Sequence, residues 1–508
     1  MYGIGTWLTR HAQLHPGRAA ISAPGRTYSY GELNALANRS AHALRAVGVS
    51  EGDRVGLLSL NTPEFLGLLF GAGKLGAVVV ALNYRLTPAE LAYQITDSGA
   101  TALFLGAEHV GLAGTLRDLT GVGQVFALDG PSVEGADSFA DMASGFPADE
   151  PGEPLPWERP LLMVYTSGTT GRPKGALLTH ANQFWNAMND IVPLRLTADD
   201  TIITLLPMVH VGGLGLFTLP ALLLGARVVL PRRFEPEQAL ALIDHEDVSV
   251  VMGVPAVFQA MLASPAFAAA DLGSVRLFYN GGDRCPLEVV AAFRRRGLPF
   301  GGGYGLTETS PTAYMLEPSE FAAGTRQAGF IGKPAPFTEA RLVTPEGADA
   351  APDEAGEIWL RGPNVFAGYW QRPEATAEAF VDGWFRTGDL AVRDDEGYTY
   401  IVGRLKEMYK SGGLNVYPAE VEAALAEHPA VSECCVIGVA DAQWGEVGRA
   451  IVALRPDAEA SAEELIAWCE GRLARYKQPR VVVFVHALPR NTLGKVNRGD
   501  LRREFGAP

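Results

Sequence analysis

The N-terminal part of the chain alternates between stretches of helical periodicity and short apolar stretches. Ser29-Tyr30-Gly31-Glu32 has the pattern of a capping box and predicts a helix that ends near Gly48. Arg54–Leu60 predicts a strand, Thr62-Pro63 begins a second helix, and Ala77–Leu82 predicts a buried strand. Further elements are predicted at Thr201–Leu205, Ala226–Leu230, Glu235–His245 and Ser249–Met252. Strands separated by helices predict an α/β fold of layers with largely parallel sheets.

The pattern changes after Phe330, where short alternating segments are punctuated by Gly and Pro. Glu357–Leu360 and Tyr398–Val402 predict a small, mostly antiparallel β subdomain. A polar stretch at 403–407 precedes a second α/β segment, with elements predicted at Ala419–Glu427, Val431–Val439, Ala462–Leu473 and Val481–Val485. We therefore predict a large N-terminal domain over 1–403, with the β subdomain at about 325–403. A smaller α+β C-terminal domain follows over 404–508, with a hinge at 403–406.

Composition narrows the class of protein. A chain of 508 residues with 47% hydrophobic and 19% charged residues is typical of a multidomain globular protein. The net charge of −15 argues against binding to nucleic acid, and the segment from Arg404 onward is nearly neutral. The four cysteines, Cys285, Cys434, Cys435 and Cys469, lack metal-ligand spacing and predict reduced thiols. Since neither a signal peptide nor a membrane segment is predicted, we expect a cytoplasmic protein.

The segment between Leu161–Tyr165 and Ala176–Leu178 carries the strongest functional signal. Its small residues let the backbone approach a polyphosphate, and Lys174 adds a compact positive charge. It is not a Walker loop, because Gly175 follows Lys174 where Ser or Thr is needed. A plain turn is the alternative. The predicted polyphosphate-binding residues of this loop, which are the ATP-binding candidates once the family resemblance below is considered, are Thr166, Ser167, Gly168, Thr169, Thr170, Gly171 and Lys174.

A second glycine-rich segment runs from Gly301 to Thr309. Its three glycines predict a surface free of side chains on which an adenine or an acyl carbonyl could lie. Tyr304 could stack on the base, Thr307 could donate to the α-phosphate, and Glu308 offers the hard oxygen ligands that suit Mg²⁺. By itself the segment is an ordinary Gly-rich turn that ends in an acidic residue.

Two further segments place single charges in small turns. Asp389, just after a tight turn in Trp384–Leu390, could accept from both ribose hydroxyls or could merely form the turn. Lys495 lies in Pro489–Arg498, where an isolated lysine on a glycine turn is by itself typical of a solvated surface charge. If an ionised carboxylate attacks an anionic α-phosphate, a cation that reaches both groups offsets their repulsion.

These motifs, with Pro207–Gly213, resemble in order those of the adenylate-forming superfamily, over nearly the whole chain. That superfamily includes acyl- and aryl-CoA synthetases, peptide-synthetase adenylation domains and luciferases. The resemblance implies that ATP is bound with Mg²⁺ on Thr166 and Glu308, and that Lys495, Glu308 and Thr307 are catalytic residues. It also implies that the C-terminal domain is mobile and rotates about Lys406 after adenylation.

The resemblance implies roles for further residues. His210 is a further catalytic candidate, because it would line the wall between the acyl pocket and the adenylate. A role as general base is not implied, since the attacking carboxylate is already ionised. Arg404 would join Asp389 at the ribose. The remaining ATP-binding positions are Gly302, Gly303 and Tyr304. The acyl pocket would be formed by His210, Val254, Asn280, Gly281, Gly282 and Gly303. The CoA-binding positions would be Ser411, Gly412 and Gly413, and Lys410 and Lys477 are either contacts to the phosphates of CoA or solvated charges.

The function implied is that of an ATP-dependent acyl-CoA synthetase, with a fatty acid as substrate. The alternative is an aryl acid of the cinnamate, ferulate or benzoate type; a dicarboxylate and an amino acid are further alternatives. The predicted pocket is mostly apolar or small, and Val254–Met261 contains no cation to pair with a second carboxylate. Phe217–Ala226 contains no acidic residue to bind an amino group. A catalytically silent nucleotide-binding regulator is disfavoured, because Lys174, Glu308, Asp389 and Lys495 are all present. The sequence leaves open whether the protein forms a homodimer.

Overall fold

The computed structural model describes residues 2–166, 172–316, 320, 330–490 and 496–506. Within this part of the chain, numbered in chain order, the helices are α1 (Gly5–Leu14), α2 (Tyr30–Ala46), α3 (Pro63–Leu75), α4 (Pro88–Ser98), α5 (Ala113–Thr120), α6 (Phe139–Ser144), α7 (His180–Leu194), α8 (Val211–Leu214), α9 (Thr218–Leu224), α10 (Pro236–His245), α11 (Pro255–Ala263), α12 (Leu287–Arg295), α13 (Pro373–Ala379), α14 (Pro418–Ala426), α15 (Ala462–Trp468) and α16 (Arg498–Phe505). Short 3₁₀ turns lie at Val110–Leu112, Pro265–Ala268 and Thr307–Thr309.

The strands of the same part of the chain are β1 (Ala19–Ala23), β2 (Arg26–Ser29), β3 (Arg54–Leu58), β4 (Val78–Ala81), β5 (Ala102–Leu105), β6 (Gln124–Ala127), β7 (Asp137–Ser138), β8 (Pro160–Thr166), β9 (Lys174–Thr179), β10 (Thr201–Thr204), β11 (Arg227–Val229), β12 (Val250–Gly253), β13 (Leu277–Asn280), β14 (Phe300–Gly305), β15 (Thr312–Leu316), β16 (Phe330–Pro334), β17 (Glu339–Val343), β18 (Gly356–Arg361), β19 (Gly368–Tyr369), β20 (Phe380–Val381), β21 (Trp384–Arg393), β22 (Thr399–Arg404), β23 (Tyr409–Ser411), β24 (Leu414–Val416), β25 (Val431–Asp441), β26 (Gly445–Leu454) and β27 (Val481–Phe484).

The chain divides into two units, of which the first comprises Met1–Thr325, Gly332–Glu339 and Arg361–Phe385. One of its sheets has the strand order β16-β15-β14-β13-β12-β10-β11-β1-β2, and the strands from β14 to β1 in this order are parallel. Its other sheet has the order β19-β9-β8-β4-β3-β5-β6-β7, parallel from β8 to β7. The predicted α/β class with largely parallel sheets is confirmed.

Local sequence signals explain where the first helices begin and end. Ser29 and Glu32 form the predicted capping box, with Glu32 N donating to Ser29 Oγ over 3.2 Å and Ser29 N to Glu32 Oε2 over 2.8 Å. Thr62 caps α3, and Gly76 ends it with a φ of +87°. Both predicted helices are therefore confirmed.

An aromatic core holds the strands that lead to the site. Phe258 of α11 contacts Phe300 of β14 at a ring-centroid distance of 5.0 Å, and Phe293 of α12 contacts Phe278 of β13 at 5.0 Å. All four rings are buried. Such rings contribute large apolar areas, and the helices therefore fix the positions of β12, β13 and β14.

The second unit comprises Arg326–Ile331, Ala340–Leu360 and Arg386–Pro508. Its strands β17, β18, β21 and β22 are neighbours in that order, and β21 pairs with β22 in antiparallel fashion. In its other sheet, Cys434 packs on one face of β25 and Cys435 on the other, as alternation along a strand predicts. The helix predicted over Ala462–Leu473 ends at Trp468, ahead of Gly471 with its left-handed φ of +74°. The domain boundary at 403–406 stays a prediction.

Among the helices of the described residues, none has the length and hydropathy needed to cross a membrane.

Candidate active site

Most of the predicted acyl-pocket residues lie at one edge of the first sheet. Because β10, β12 and β13 are parallel neighbours, their carboxyl ends point to the same edge. His210 follows β10, Val254 follows β12, and Asn280 ends β13, directly before Gly281 and Gly282. A Cβ atom built on Gly282 would lie 3.3 Å from Val254 Cγ1. Carboxyl ends of parallel strands are where open α/β sheets bind ligands, so this edge is a candidate substrate pocket.

His210 is held uncharged at this edge. It lies directly before α8, and its Nε2 atom is buried with no hydrogen-bond partner among the described residues. Burial, together with the positive charge of Arg85, lowers the pKa of His210 to about 4. The neutral imidazole can therefore offer a hydrogen bond or an apolar wall near pH 7, but not a charge.

Asn280 also presents a buried, unused polar atom. Its Nδ2 donates to the carbonyl of Asp283 over 2.8 Å, whereas its Oδ1 is buried and has no partner in the described part of the chain. Gly282 has a φ of +78°, which favours glycine at the turn that follows. The turn is thus fixed by Asn280, and one acceptor at the strand end stays available.

The glycines at 301–303 lie in strand β14, and not in the ordinary turn that was the alternative interpretation of this segment. A Cβ atom on Gly303 would collide with Tyr279 Oη and come within 2.6 Å of the Tyr314 carbonyl. Gly301 faces the same tyrosine ring, with Tyr279 Cδ2 at 3.3 Å from a Cβ atom built there. The open surface predicted from the glycines is therefore absent on the face of Gly301 and Gly303, which Tyr279 covers.

A polar cluster around Glu308 joins three of the predicted ATP-site residues. Thr166 and Lys174 lie directly opposite each other in the β8–β9 pair. Thr166 Oγ1 donates to Glu308 Oε1 over 3.4 Å, and Glu308 is only 8% exposed. Among the described residues no group of three or more His, Cys, Asp or Glu side chains is placed to hold a metal. A single buried carboxylate with a hydroxyl beside it fits Mg²⁺, which takes much of its coordination from phosphate and water.

Tyr369 belongs to this cluster and was missed by the sequence analysis. Its hydroxyl donates to Glu308 Oε1 over 2.9 Å, and Lys174 Nζ lies 5.2 Å from the centroid of its ring. Burial, followed by the nearby Glu308 charge, raises the pKa of Tyr369, so the phenol stays protonated. Tyr369 lies outside the motifs identified in the sequence and reaches Glu308 only through the pairing of β19 with β9.

Buried amides hold the backbone of the segment that carries Glu308. Asn364, fully buried, donates to the carbonyls of Thr309 and Thr312 over 3.2 and 2.7 Å. Asn186 Oδ1 accepts from Thr312 N over 2.8 Å, and Phe366 N donates to the Glu308 carbonyl over 2.8 Å. Tyr304 and Thr307 flank this segment in β14 and in the 3₁₀ turn.

In the second unit, Asp389 and Arg404 are paired. They face each other across β21 and β22, with Arg404 Nε 2.8 Å from Asp389 Oδ1. The Asp389 side chain is 5% exposed and that of Arg404 is 55% exposed. Asp389 thus lies in a long strand, after Gly388 with its φ of +73°, and not simply after a turn. The pairing brings together the two residues predicted at the ribose.

The predicted CoA residues of the second unit differ in their surroundings. Lys477 Nζ lies 2.6 Å from Glu420 Oε1, so its charge is already paired. Lys410 and Lys406 are exposed, and the Lys406 carbonyl accepts from Arg502 over 3.4 Å. The remaining predicted CoA residues are Ser411, which is buried, and Gly412 and Gly413, which are exposed.

The predicted residues Ser167, Gly168, Thr169, Thr170, Gly171 and Lys495 lie outside the described residues. Their roles stay predictions.

Comparison with known proteins identifies the class. The AMP-binding enzyme family matches residues 8–370, and its C-terminal domain family matches residues 420–495. The chain belongs to the AMP-binding enzyme family. It is 42% identical over 505 residues to a feruloyl-CoA synthase of Amycolatopsis sp, covering 99% of both chains, and 41% identical to an indoleacetate–CoA ligase of Aromatoleum aromaticum, covering 98% of both. A solved fatty acyl CoA synthetase of Mycobacterium tuberculosis is 35% identical, with a TM-score of 0.81 over 100% of this chain and 99% of that one.

Proposed function

We propose that the protein is an ATP-dependent carboxylate–CoA ligase. In the first half-reaction a carboxylate oxygen attacks the α-phosphorus of ATP, and the bond to pyrophosphate breaks. In the second the CoA thiol loses its proton, its sulfur attacks the acyl carbon, and AMP leaves. The cluster of Thr166, Lys174 and Glu308 supports this proposal most directly, because it combines a hydroxyl donor and a cation, opposite each other on β8 and β9, with the buried carboxylate of Glu308.

Each member of the cluster has a distinct role in the proposal. Lys174 binds the phosphates that leave as pyrophosphate, and Thr166 donates to a phosphate oxygen or holds the metal with Glu308. Mg²⁺, when bound, neutralises charge that develops on the phosphate oxygens. Thr307 donates to the α-phosphate, Gly302 and Tyr304 contact the adenine, and Asp389 with Arg404 binds the ribose.

Lys495 is the proposed cation of the adenylation step, and Lys406 the pivot of the later rotation. Lys495→Ala should reduce adenylation by roughly 10²–10³-fold, if its charge acts like an oxyanion-stabilising donor. Thioester formation from pre-made acyl-adenylate and CoA should be largely kept. Each half-reaction is measured separately, by pyrophosphate release and by acyl-CoA formation. An equal loss in both would contradict the two-conformation mechanism.

For the acid, we infer an aryl carboxylate whose ring carries a hydrogen-bond donor. The buried Asn280 Oδ1 accepts no bond in the described part of the chain, and the neutral His210 Nε2 lies at the same sheet edge. A phenol or an indole N–H could satisfy such an acceptor, whereas the tail of a fatty acid could not. Relatives named for ferulate and indoleacetate support this choice. The fatty acid predicted from the sequence is the competing substrate.

A panel of acids tests both the reaction and the acid. AMP release would be measured with ferulate, 4-methoxycinnamate, indoleacetate, benzoate and fatty acids of increasing length, with and without CoA. We expect CoA-dependent AMP with all functional substrates and the highest kcat/KM for ring donors. Preference for fatty acids would reject the aryl proposal, and absence of CoA-dependent AMP with every acid would reject the ligase proposal. The cytoplasmic location and the homodimer stay predictions.

A further inference from the structure

We propose that Tyr369 is a positioning residue that fixes the metal-binding carboxylate Glu308 and the phosphate-binding Lys174 relative to each other. This inference rests on the proposed function, since it assigns Tyr369 to the same ATP site. It adds a residue that belongs to none of the motifs used to recognise the site.

The hydroxyl of Tyr369 is hydrogen-bonded to the carboxylate of Glu308. Tyr369 Oη donates to Glu308 Oε1 over 2.9 Å, which is shorter than the 3.4 Å from Thr166 Oγ1 to the same oxygen. A hydrogen bond to a charged acceptor is stronger than one between neutral groups. Because Tyr369 Oη and Thr166 Oγ1 both donate to Oε1, Tyr369 restricts the orientation in which the carboxylate can meet an ion.

Tyr369 is itself held in place by strand β9 and by its neighbours. Strand β19 pairs with β9, with Tyr369 opposite Ala176, two positions beyond Lys174 on that strand. The Tyr369 N–H donates to Thr376 Oγ1 over 3.0 Å, and its ring packs edge-on against Phe366 at 4.8 Å. The ring is therefore held by the same strand that begins with Lys174.

The ring of Tyr369 contacts the ammonium group of Lys174. Its Nζ lies 5.2 Å from the centroid of the Tyr369 ring, within the range of a cation–π interaction. One side chain thus contacts the ammonium through its ring and the carboxylate through its hydroxyl. The two contacts can be separated, because Tyr369→Phe removes the hydroxyl alone and Tyr369→Leu removes both.

The test measures ATP binding to the full-length protein by calorimetry, in EDTA and over a series of Mg²⁺ concentrations. Mg²⁺ should increase the affinity for ATP, and the Mg²⁺ concentration at half of this increase is the quantity compared. For Tyr369→Phe we expect this concentration to rise about 10–100-fold. Its affinity for ATP in EDTA should stay unchanged. For Tyr369→Leu we expect affinity in EDTA to fall as well, by about two- to tenfold.

Tyr165→Phe is the matched control. Its hydroxyl also donates to a carboxylate over 2.9 Å, but that carboxylate is Asp97, although Tyr165 directly precedes Thr166. We expect this variant to keep the Mg²⁺ dependence of the unmodified protein. A shift of equal size in both Phe variants, or no shift in Tyr369→Phe, would overturn the proposal. Loss of affinity in EDTA with Tyr369→Phe, together with a lower Tm, would also overturn it, because it would show a general structural role.

The two proposals fail in different ways. Absence of CoA-dependent AMP release from every acid would reject the ligase function, whereas ATP and Mg²⁺ binding would still test Tyr369. Conversely, an active ligase whose Tyr369→Phe variant has an unchanged Mg²⁺ dependence would keep its proposed function and lose only this inference.

Discussion

Helices α3 and α7 both lie within the first unit, yet they bury opposite kinds of surface. The buried side of α3 is apolar, with Phe65, Leu69 and Phe70 fully inaccessible. The buried residues of α7 are mostly polar, namely His180, Asn182, Gln183, Asn186, Asn189 and Asp190, beside Ala187 and Leu194. One helix serves the core, whereas the other satisfies the polar groups of neighbouring segments.

The amides of α7 each bind a different stretch of chain. Asn182 donates to the carbonyls of Pro363 and Val365, over 2.9 and 2.8 Å. Asn189 Oδ1 accepts from Phe337 N over 2.8 Å, and Asn186 accepts from the segment that follows Glu308. Such segments have irregular backbone whose N–H and C=O groups need partners when buried. Polar burial in α7 therefore positions neighbouring segments, including the one that carries Glu308, whereas apolar burial in α3 serves stability.

The largest expected effect comes from Asn364, a buried amide outside α7 that holds the same segment as Asn186 of α7. Asn364→Leu leaves the carbonyls of Thr309 and Thr312 without this donor, which should destabilise the protein by about 1–3 kcal/mol for each carbonyl. Because the same segment carries Glu308, kcat/KM for adenylation should fall by about 10²-fold. Urea unfolding and pyrophosphate release measure the two effects.

Asn34→Leu is the control for that variant. Asn34 is also buried and polar, but its Oδ1 accepts from Lys74 of α3 over 2.6 Å and its Nδ2 donates to Glu150 over 3.0 Å. It should lose stability and keep kcat/KM. Equal losses of activity in both variants would show that any buried amide affects catalysis through stability, and not that Asn364 positions the segment of Glu308.

A second prediction uses the pH dependence of stability at His180, the first residue of α7. Its Nδ1 accepts from Ile4 N over 3.1 Å, and burial lowers its pKa to about 4. The unfolded chain takes up a proton below a pKa of about 6.5, but the folded chain does not until about pH 4. Stability is therefore full above about pH 6.5 and falls as the pH drops, by up to about 1.4 kcal/mol per unit.

His180→Asn keeps an acceptor for Ile4 N and removes the titrating group. Its unfolding free energy should fall less between pH 7 and pH 5 than that of the unmodified protein, by about 2 kcal/mol. Some dependence should persist, because burial also holds His210 uncharged. His15→Asn, at an exposed position, should behave like the unmodified protein. If both variants keep the full slope, His180 is not the titrating group.

The sequence predicted those parts of the site that lie within single motifs. Thr166, Lys174 and Glu308, which the structure brings into one cluster, could be proposed from the sequence because each belongs to a short segment of recognisable composition. Tyr369 could not, since it lies 61 residues from Glu308 and reaches it only through the pairing of β19 with β9. The fold class followed from local periodicity and caps, which act within a few residues.

The glycines of β14 show the same limit. From the sequence they predicted an open surface, but the ring of Tyr279 from the neighbouring strand β13 fills one face. Which side chain lies over a glycine depends on strand order and register, and neither is contained in the glycines themselves. Likewise, the sequence of α7 shows which of its residues are polar, but it does not show that these residues face the interior.

The smallest expected effect sharpens the apolar side of the comparison. A Cβ atom on Gly71 of α3 would lie 2.7 Å from the Ala37 carbonyl oxygen and 2.8 Å from Ser40 Cβ, both in α2. Gly71→Ala should therefore force the two helices apart and destabilise the protein by about 1–3 kcal/mol, less the gain in helix propensity. Activity per folded molecule should not change.

Gly114→Ala separates the steric effect from that propensity. Gly114 lies in α5, is exposed, and has no atom within 4 Å of a Cβ built on it. This variant should gain up to about 1 kcal/mol, because alanine is the better helix former. Urea unfolding and AMP release are measured for both variants. A loss of activity in Gly71→Ala at temperatures where it is folded would mean that apolar packing at α3 also positions the site.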